Sequence, residues 1–298
     1  MPDYTITEVL KKGKILLSDG AMGTELHKRG LAPGESPEKW NLTNLSIVRE
    51  ISDSYVNAGS DIIMTNTLGA NRIALGYSGL SDRVIEVNKA AVTAAKEAAG
   101  EDVFVMASVG PTGKMLFMEE ITEAELYDVF KEQVIILEKS GADALCIETM
   151  SDIDEALTAI RAAKENTSLE VVCTFSYELT AQGEYRTIMG TKPGENAIRC
   201  LGAGADIVGT NCGNGIEQMA EITAEIKAAA PESLVLVQSN AGLPVNENGR
   251  TVFHSSPEQM AEFIPLLVKS GANIIGGCCG TTPDHIAKMR EKIDNLKL

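Results

Sequence analysis

Basic residues are scarce: 26 Lys and Arg stand against 42 Asp and Glu, a formal charge of −16 over 298 residues. Proteins bind a phosphate backbone by bringing a basic surface that displaces counterions, so this balance excludes nucleic acid as an expected partner. Aromatic residues are few as well, 4% with one Trp, too little material for a cage of rings around a quaternary ammonium. No stretch of 18 apolar residues occurs, so no membrane span is predicted. The first ten residues carry Asp3 and Glu8 and lack the basic start and apolar run of a secretion signal, which sets a cytoplasmic location as the expectation. No G-x-G-x-x-G or Walker sequence is present, and no linker or low-complexity tract divides the chain.

What is present is an ordinary supply of apolar residues, 44%, and a recurring phrase. Gly59-Ser60-Asp61-Ile62-Ile63 returns as Gly141-Ala142-Asp143-Ala144-Leu145, as Gly204-Ala205-Asp206-Ile207-Val208 and as Gly271-Ala272-Asn273-Ile274-Ile275. Each copy reads as a helix stop, a turn and a buried strand. The copies lie about 60–80 residues apart, room for two strand–helix units each. Four further apolar runs of strand length fall between them, at Ile15–Asp19, Val103–Ser108, Leu169–Phe175 and Leu234–Gln238. Helical patterns separate the strands at Val84–Ala99, Glu123–Lys139, Ile153–Lys164, Ile216–Ala229 and Pro257–Lys269. Eight strands alternating with helices predict an α/β fold of the closed (β/α)8 TIM barrel type, one domain over residues 1–298. The stretch from Lys28 to Leu45 reads as a long irregular loop leaving the first strand at the face where such barrels carry their sites.

The six cysteines do not read as three disulfides, because a chain this long needs no staples and adjacent Cys278 and Cys279 cannot easily bridge each other. Cys146, Cys173 and Cys200 lie in apolar or helical surroundings and read as packing residues. The repeat places the other three at strand ends: Cys212 after the sixth strand, Cys278 and Cys279 after the eighth. Alternate strands of a barrel point their inward residues into one layer, so three thiols converge on one mouth. Three protein ligands with a fourth position open is the composition of a catalytic zinc site, and thiolate softness favours zinc. The glycines at 276, 277 and 280 let the backbone bend so that both neighbouring sulfurs point the same way. His27, His254 and His285 read as solvated or capping residues.

These residues resemble the zinc-dependent homocysteine S-methyltransferases. The resemblance is carried by Asp19-Gly20-Ala21-Met22-Gly23-Thr24, Thr65-Asn66-Thr67, Gly110-Pro111-Thr112-Gly113, Glu148-Thr149, Asn211-Cys212 and Gly276-Gly277-Cys278-Cys279-Gly280-Thr281-Thr282-Pro283. It runs in order through nearly the whole chain, and the last segment is highly specific. Ser239-Asn240-Ala241-Gly242-Leu243-Pro244 looks most like the homocysteine-binding module of cobalamin-dependent methionine synthase, whereas Thr149 stands where the betaine-using branch has an aromatic residue. The resemblance implies one Zn2+ per chain on Cys212, Cys278 and Cys279, with the metal activating the thiol of homocysteine for attack on a methyl group.

For the substrate's amino-acid end, Glu148 and Asp19 are the candidate ammonium partners, and the Gly20, Ala21 and Thr24 turn is the candidate carboxylate cradle. Asn240 is a candidate labile fourth ligand. The donor is left open: a corrinoid carried by a separate protein, or a small donor such as S-methylmethionine. Two other readings stand beside methionine formation. One is a corrinoid-linked methyltransferase of a demethylation pathway with a different acceptor, the other a non-catalytic zinc-binding barrel.

Overall fold

The computed structural model describes residues 4–247 and 250–296. Eight parallel strands form one sheet: β1 (Leu16–Leu17), β2 (Ile62–Met64), β3 (Phe104–Val109), β4 (Ala144–Met150), β5 (Glu170–Phe175), β6 (Ile207–Asn211), β7 (Val235–Ser239) and β8 (Ile274–Gly277). Each pairs with its neighbours in chain order, and β8 pairs with β1. A parallel bridge between Ser18 and Ile62, with the Asp19 N–H donating to Ile62 O at 3.0 Å, joins β1 to β2 and closes the ring. The (β/α)8 barrel expected from the alternation is the fold observed.

The repeated phrase has a specific structural task. In each copy the glycine takes a left-handed φ between +97° and +104°, a conformation that costs glycine little, and so turns the chain out of its helix. The Asp or Asn two places on then grips one residue of the adjacent strand by both backbone groups. The Asp143 N–H donates to Val105 O at 2.8 Å while its carboxylate accepts the Val105 N–H at 2.7 Å. Asp61 does the same to Leu17, Asp206 to Val171 and Asn273 to Val235. All four clamps lie at the N-terminal ends of the strands, the face of such a barrel that serves stability.

Inward-facing Leu16, Met106, Cys146, Val172 and Leu236 fill the lower barrel, and the short helix Ile6–Leu10 adds Ile6, Val9 and Leu10 to the same cluster. The Glu170 carboxylate accepts the Ile6 and Thr7 N–H groups at 2.8 and 3.1 Å, pinning that helix beneath β5. Outward-facing strand residues such as Leu17, Ile63, Val105 and Val237 pack against the surrounding helices. Cys146, Cys173 and Cys200 are free and buried, as expected of packing residues.

Two expectations need correction. The pattern over Pro257–Lys269 is two helices, Pro257–Glu262 and Ile264–Ser270, broken at Phe263 because Pro265 has no N–H for a continuous ladder. The stretch from Lys28 to Leu45 is not irregular throughout: it contains a 3-10 turn at Pro37–Lys39 and a short helix at Trp40–Thr43, with Trp40 buried beneath. Among the described residues no helix is long and apolar enough to cross a membrane.

Candidate metal centre

Cys212, Cys278 and Cys279 meet at the C-terminal mouth of the barrel, with their sulfur atoms all within 4.8 Å of one another. Cys212 Sγ and Cys279 Sγ are 3.8 Å apart. A tetrahedral ion with Zn–S bonds of about 2.3 Å has S···S edges of about 3.8 Å, so the donor set and its spacing fit zinc. Among the described residues no other group of three or more metal-ligating side chains forms such a cluster.

The backbone achieves this convergence in two different ways. Cys212 adopts φ +59°, a left-handed conformation that a non-glycine residue holds only when its surroundings fix it. The Cys212 N–H donates to Gln238 O at 3.1 Å and Asn214 N–H donates to Cys212 O at 2.8 Å. After β8, Cys278 N–H donates to Ser239 O at 2.6 Å, and Thr281 Oγ1 closes the turn on Cys278 O at 2.7 Å. A side chain at Gly277 would put its Cβ 2.3 Å from Thr281 Oγ1, so the turn can tighten this far only at glycine.

Hydrogen bonds from the Cys278 and Cys279 thiols hold Cys212 as the thiolate, its pKa pulled down to about 3. Those same bonds push Cys278 well up and Cys279 to about 12. The buried Asn240 also hydrogen-bonds Cys212, while its Oδ1 has no hydrogen-bond partner.

A cavity of about 260 Å³ opens over the cluster. Of the residues singled out in the sequence, Gly20, Ala21, Thr24, Glu148, Cys212, Cys278 and Cys279 line it. Glu148 comes from a bulge in β4, where the register with β5 shifts between Ile147 and Met150. Its Oε1 accepts from Ser108 Oγ, and burial lifts its pKa to about 7. Asp19 lies outside the lining; its Oδ2 accepts the Met64 N–H at 2.8 Å, and burial, helped by the Glu148 charge, lifts it to about 7 too. Among the described residues neither carboxylate is paired with a cationic side chain.

Gly20 has no room for a side chain, since a Cβ would lie 2.7 Å from Thr281 Oγ1. Ala21 is the N-cap of the helix Met22–Lys28, which begins with no side-chain cap. Thr24 is partly committed elsewhere, its Oγ1 accepting the Gly280 N–H at 3.0 Å. Asn240, like Asp19, lies outside the lining. His285 caps its own helix through Thr282, His27 bonds Leu31 O and His254 bonds Glu247, so no histidine joins the cluster.

Sequence reasoning missed several wall residues. Pro37 and Glu38 reach the cavity from the β1 loop, where Glu38 Oε1 accepts the Gly69 N–H at 2.7 Å and Asn66 Nδ2 donates to Pro37 O at 2.8 Å. Ser108 and Gln238 line it from β3 and β7. Their one signal was position: each sits at or next to the last residue of an inward-facing strand.

The family model described as homocysteine S-methyltransferase matches residues 16–293. The chain belongs to that family. Among its curated relatives, the methionine synthase of Mycobacterium tuberculosis is 27% identical across 99% of this chain, and that of Mycobacterium leprae is 27% identical across 96%. The chain spans about a quarter of the length of these relatives, 26% and 25%. The metallated form of the homocysteine methyltransferase MmuM from Escherichia coli has the same fold, with a TM-score of 0.79 at 24% identity over 96% of this chain and 98% of that one. Its oxidized form gives the same score over 97% and 100%. The part of the chain inside the family match holds all three clustered cysteines together with Asp19 and Glu148.

Proposed function

We propose that this chain transfers a methyl group to the thiol of homocysteine, giving methionine, with one zinc ion held by Cys212, Cys278 and Cys279. The observation that carries the reading is the convergence of three sulfurs at the floor of a cavity that also holds an unpaired carboxyl group. Zinc bound to three thiolates keeps a position for a fourth ligand and lowers the pKa of a thiol placed there. In the transfer, a new S–CH3 bond forms as the donor–CH3 bond breaks. The leaving group keeps the bonding electron pair, and the thiol proton passes to solvent.

The chain's own residues position the acceptor. Glu148 is assigned to the substrate ammonium: a carboxyl poised near pH 7 with no cation of its own ionises readily when an ammonium arrives. Asp19 is assigned a supporting role, adding negative potential from beneath while its side chain ties β1 to β2. The substrate carboxylate is assigned to the Gly20–Thr24 turn, which lines the cavity and starts an uncapped helix. Asn240, whose Oδ1 has no hydrogen-bond partner, is the residue that would offer the ion an oxygen ligand in the absence of substrate. Holding a thiol and a methyl carbon in line removes much of the entropy cost of a bimolecular encounter.

The sequence resemblance to the homocysteine-binding module of cobalamin-dependent methionine synthase supports a methyl-corrinoid as the donor. The deciding experiment measures metal content, then methionine formation from homocysteine with methylcobalamin, S-methylmethionine or betaine supplied in turn. About one zinc per chain and zinc-dependent methionine from methylcobalamin support the reading. Methionine from S-methylmethionine alone replaces the corrinoid by a small donor, and no methionine from any donor overturns the function.

A further inference from the structure

Asn211 directly precedes Cys212 and is buried, yet it does not line the cavity. Its amide spans from β6 to β4 and uses both faces. Oδ1 accepts the Thr149 N–H at 2.9 Å and the Thr174 Oγ1–H at 2.7 Å, while Nδ2 donates to Thr149 Oγ1 at 2.7 Å and to Glu148 Oε2 at 3.3 Å. A backbone N–H can only donate, so the Thr149 contact fixes which end of the amide is oxygen, and the NH2 group must face Glu148.

The same residue joins two unusual stretches of backbone. Thr149 has φ +60° and Cys212 has φ +59°, at equivalent places in two copies of the repeat. A β-branched residue avoids this region unless it is held there. Asn211 holds Thr149 through both its N–H and its hydroxyl, and carries Cys212 as its covalent neighbour.

From this we infer that Asn211 is a positioning residue that locks the Glu148 carboxylate to the Cys212 ligand, fixing the distance between the ammonium end and the sulfur end of the substrate. The inference rests on the proposed homocysteine reading. It explains why a fully engaged amide, and not an apolar residue, stands between β4 and β6 at the edge of the cavity. A site coupled in this way discriminates by the spacing between amino group and thiol.

The test uses this chain loaded with zinc and two ligands, homocysteine and propanethiol, which has a thiol and no amino-acid end. Asn211→Asp keeps the acceptor toward Thr149 and Thr174 but replaces the donor facing Glu148 with a like charge. Expected are unchanged zinc stoichiometry, a tenfold or greater loss of homocysteine affinity, and less than a twofold change for propanethiol. The double variant Asn211→Asp with Glu148→Gln restores a donor–acceptor pair in reverse, and is expected to bind homocysteine within twofold of Glu148→Gln alone. This second comparison also serves should the single variant fail to fold. Equal losses for the two ligands, or no loss for homocysteine, overturn the inference. Wild-type protein that binds zinc but no homocysteine overturns the functional reading beneath it.

Discussion

Asp143 grips Val105 twice, receiving its N–H on the carboxylate and donating its own N–H to the same residue's carbonyl. Lys96 neutralises that carboxylate at 2.9 Å, and the pair is largely buried. Asp143→Ala leaves the Val105 N–H without a partner at the closed end of the barrel and is expected to cost about 1–3 kcal/mol. Asp143→Asn, the residue the fourth copy uses at Asn273, is expected to cost less than that. Denaturant midpoints measure both, and homocysteine methylation by the folded Ala variant is expected to match wild type. A loss of activity without a loss of stability would contradict the division between the two ends of the barrel.

Cys278 has its backbone anchored on β7 and its sulfur in the cluster. Cys278→Ala removes one of the three proposed zinc ligands without touching the core. Metal retention after dialysis is expected to fall below a tenth of wild type and methyl transfer to vanish, with circular dichroism unchanged. Full activity in this variant would refute the metal assignment.

The uplifted pKa of Asp19 makes a pH prediction with a definite sign. Its carboxyl titrates near 3.8 in an unfolded chain and about 7 in the barrel, so the folded state holds the proton more tightly. Its contribution therefore favours folding below about pH 4, weakens as the pH rises toward 7 and is lost above that. Asp19→Asn can still accept the Met64 N–H and carries no charge to bury. The variant is expected to gain about 1–3 kcal/mol on metal-free wild type at pH 8, shrinking toward zero by pH 4. Thermal melts across that range decide it, and a gap that widens on acidification would show that the carboxyl is ionised in the fold.

Gly277 faces Thr281 with no room for a methyl group. Gly277→Ala is expected to displace the turn that carries Cys278 and Cys279, weakening zinc at least tenfold in a chelator competition while lowering stability by about 1–3 kcal/mol. An equivalent change at Gly23, whose Cβ would meet nothing within 4 Å, is expected to leave zinc affinity unaltered.

The strands and the convergence of three cysteines were legible because both depend on local pattern. A glycine, a small residue and an Asp or Asn announced each even-numbered strand, and the barrel's symmetry carried Cys212, Cys278 and Cys279 to one rim. The side-chain network was not legible. Asn211 meets Glu148 across 63 residues and Thr174 across 37, and Glu38 reaches Gly69 across 31; no spacing rule encodes such pairs. The β4 bulge that aims Glu148 inward, and the left-handed turns at Thr149 and Cys212, fall at residue types that ordinarily avoid that conformation. The break at Phe263 was in reach, since Pro265 lies inside the run that reads as one helix.

The small helix Ile6–Leu10, wedged under the strands and tethered by Glu170, acts as a stopper. The chamber over the cysteines, with Pro37, Glu38 and Leu68 in its wall, lies at the opposite end of the strands from that helix. On the proposed chemistry the acceptor and the methyl donor would therefore both approach from the end of the barrel away from that helix.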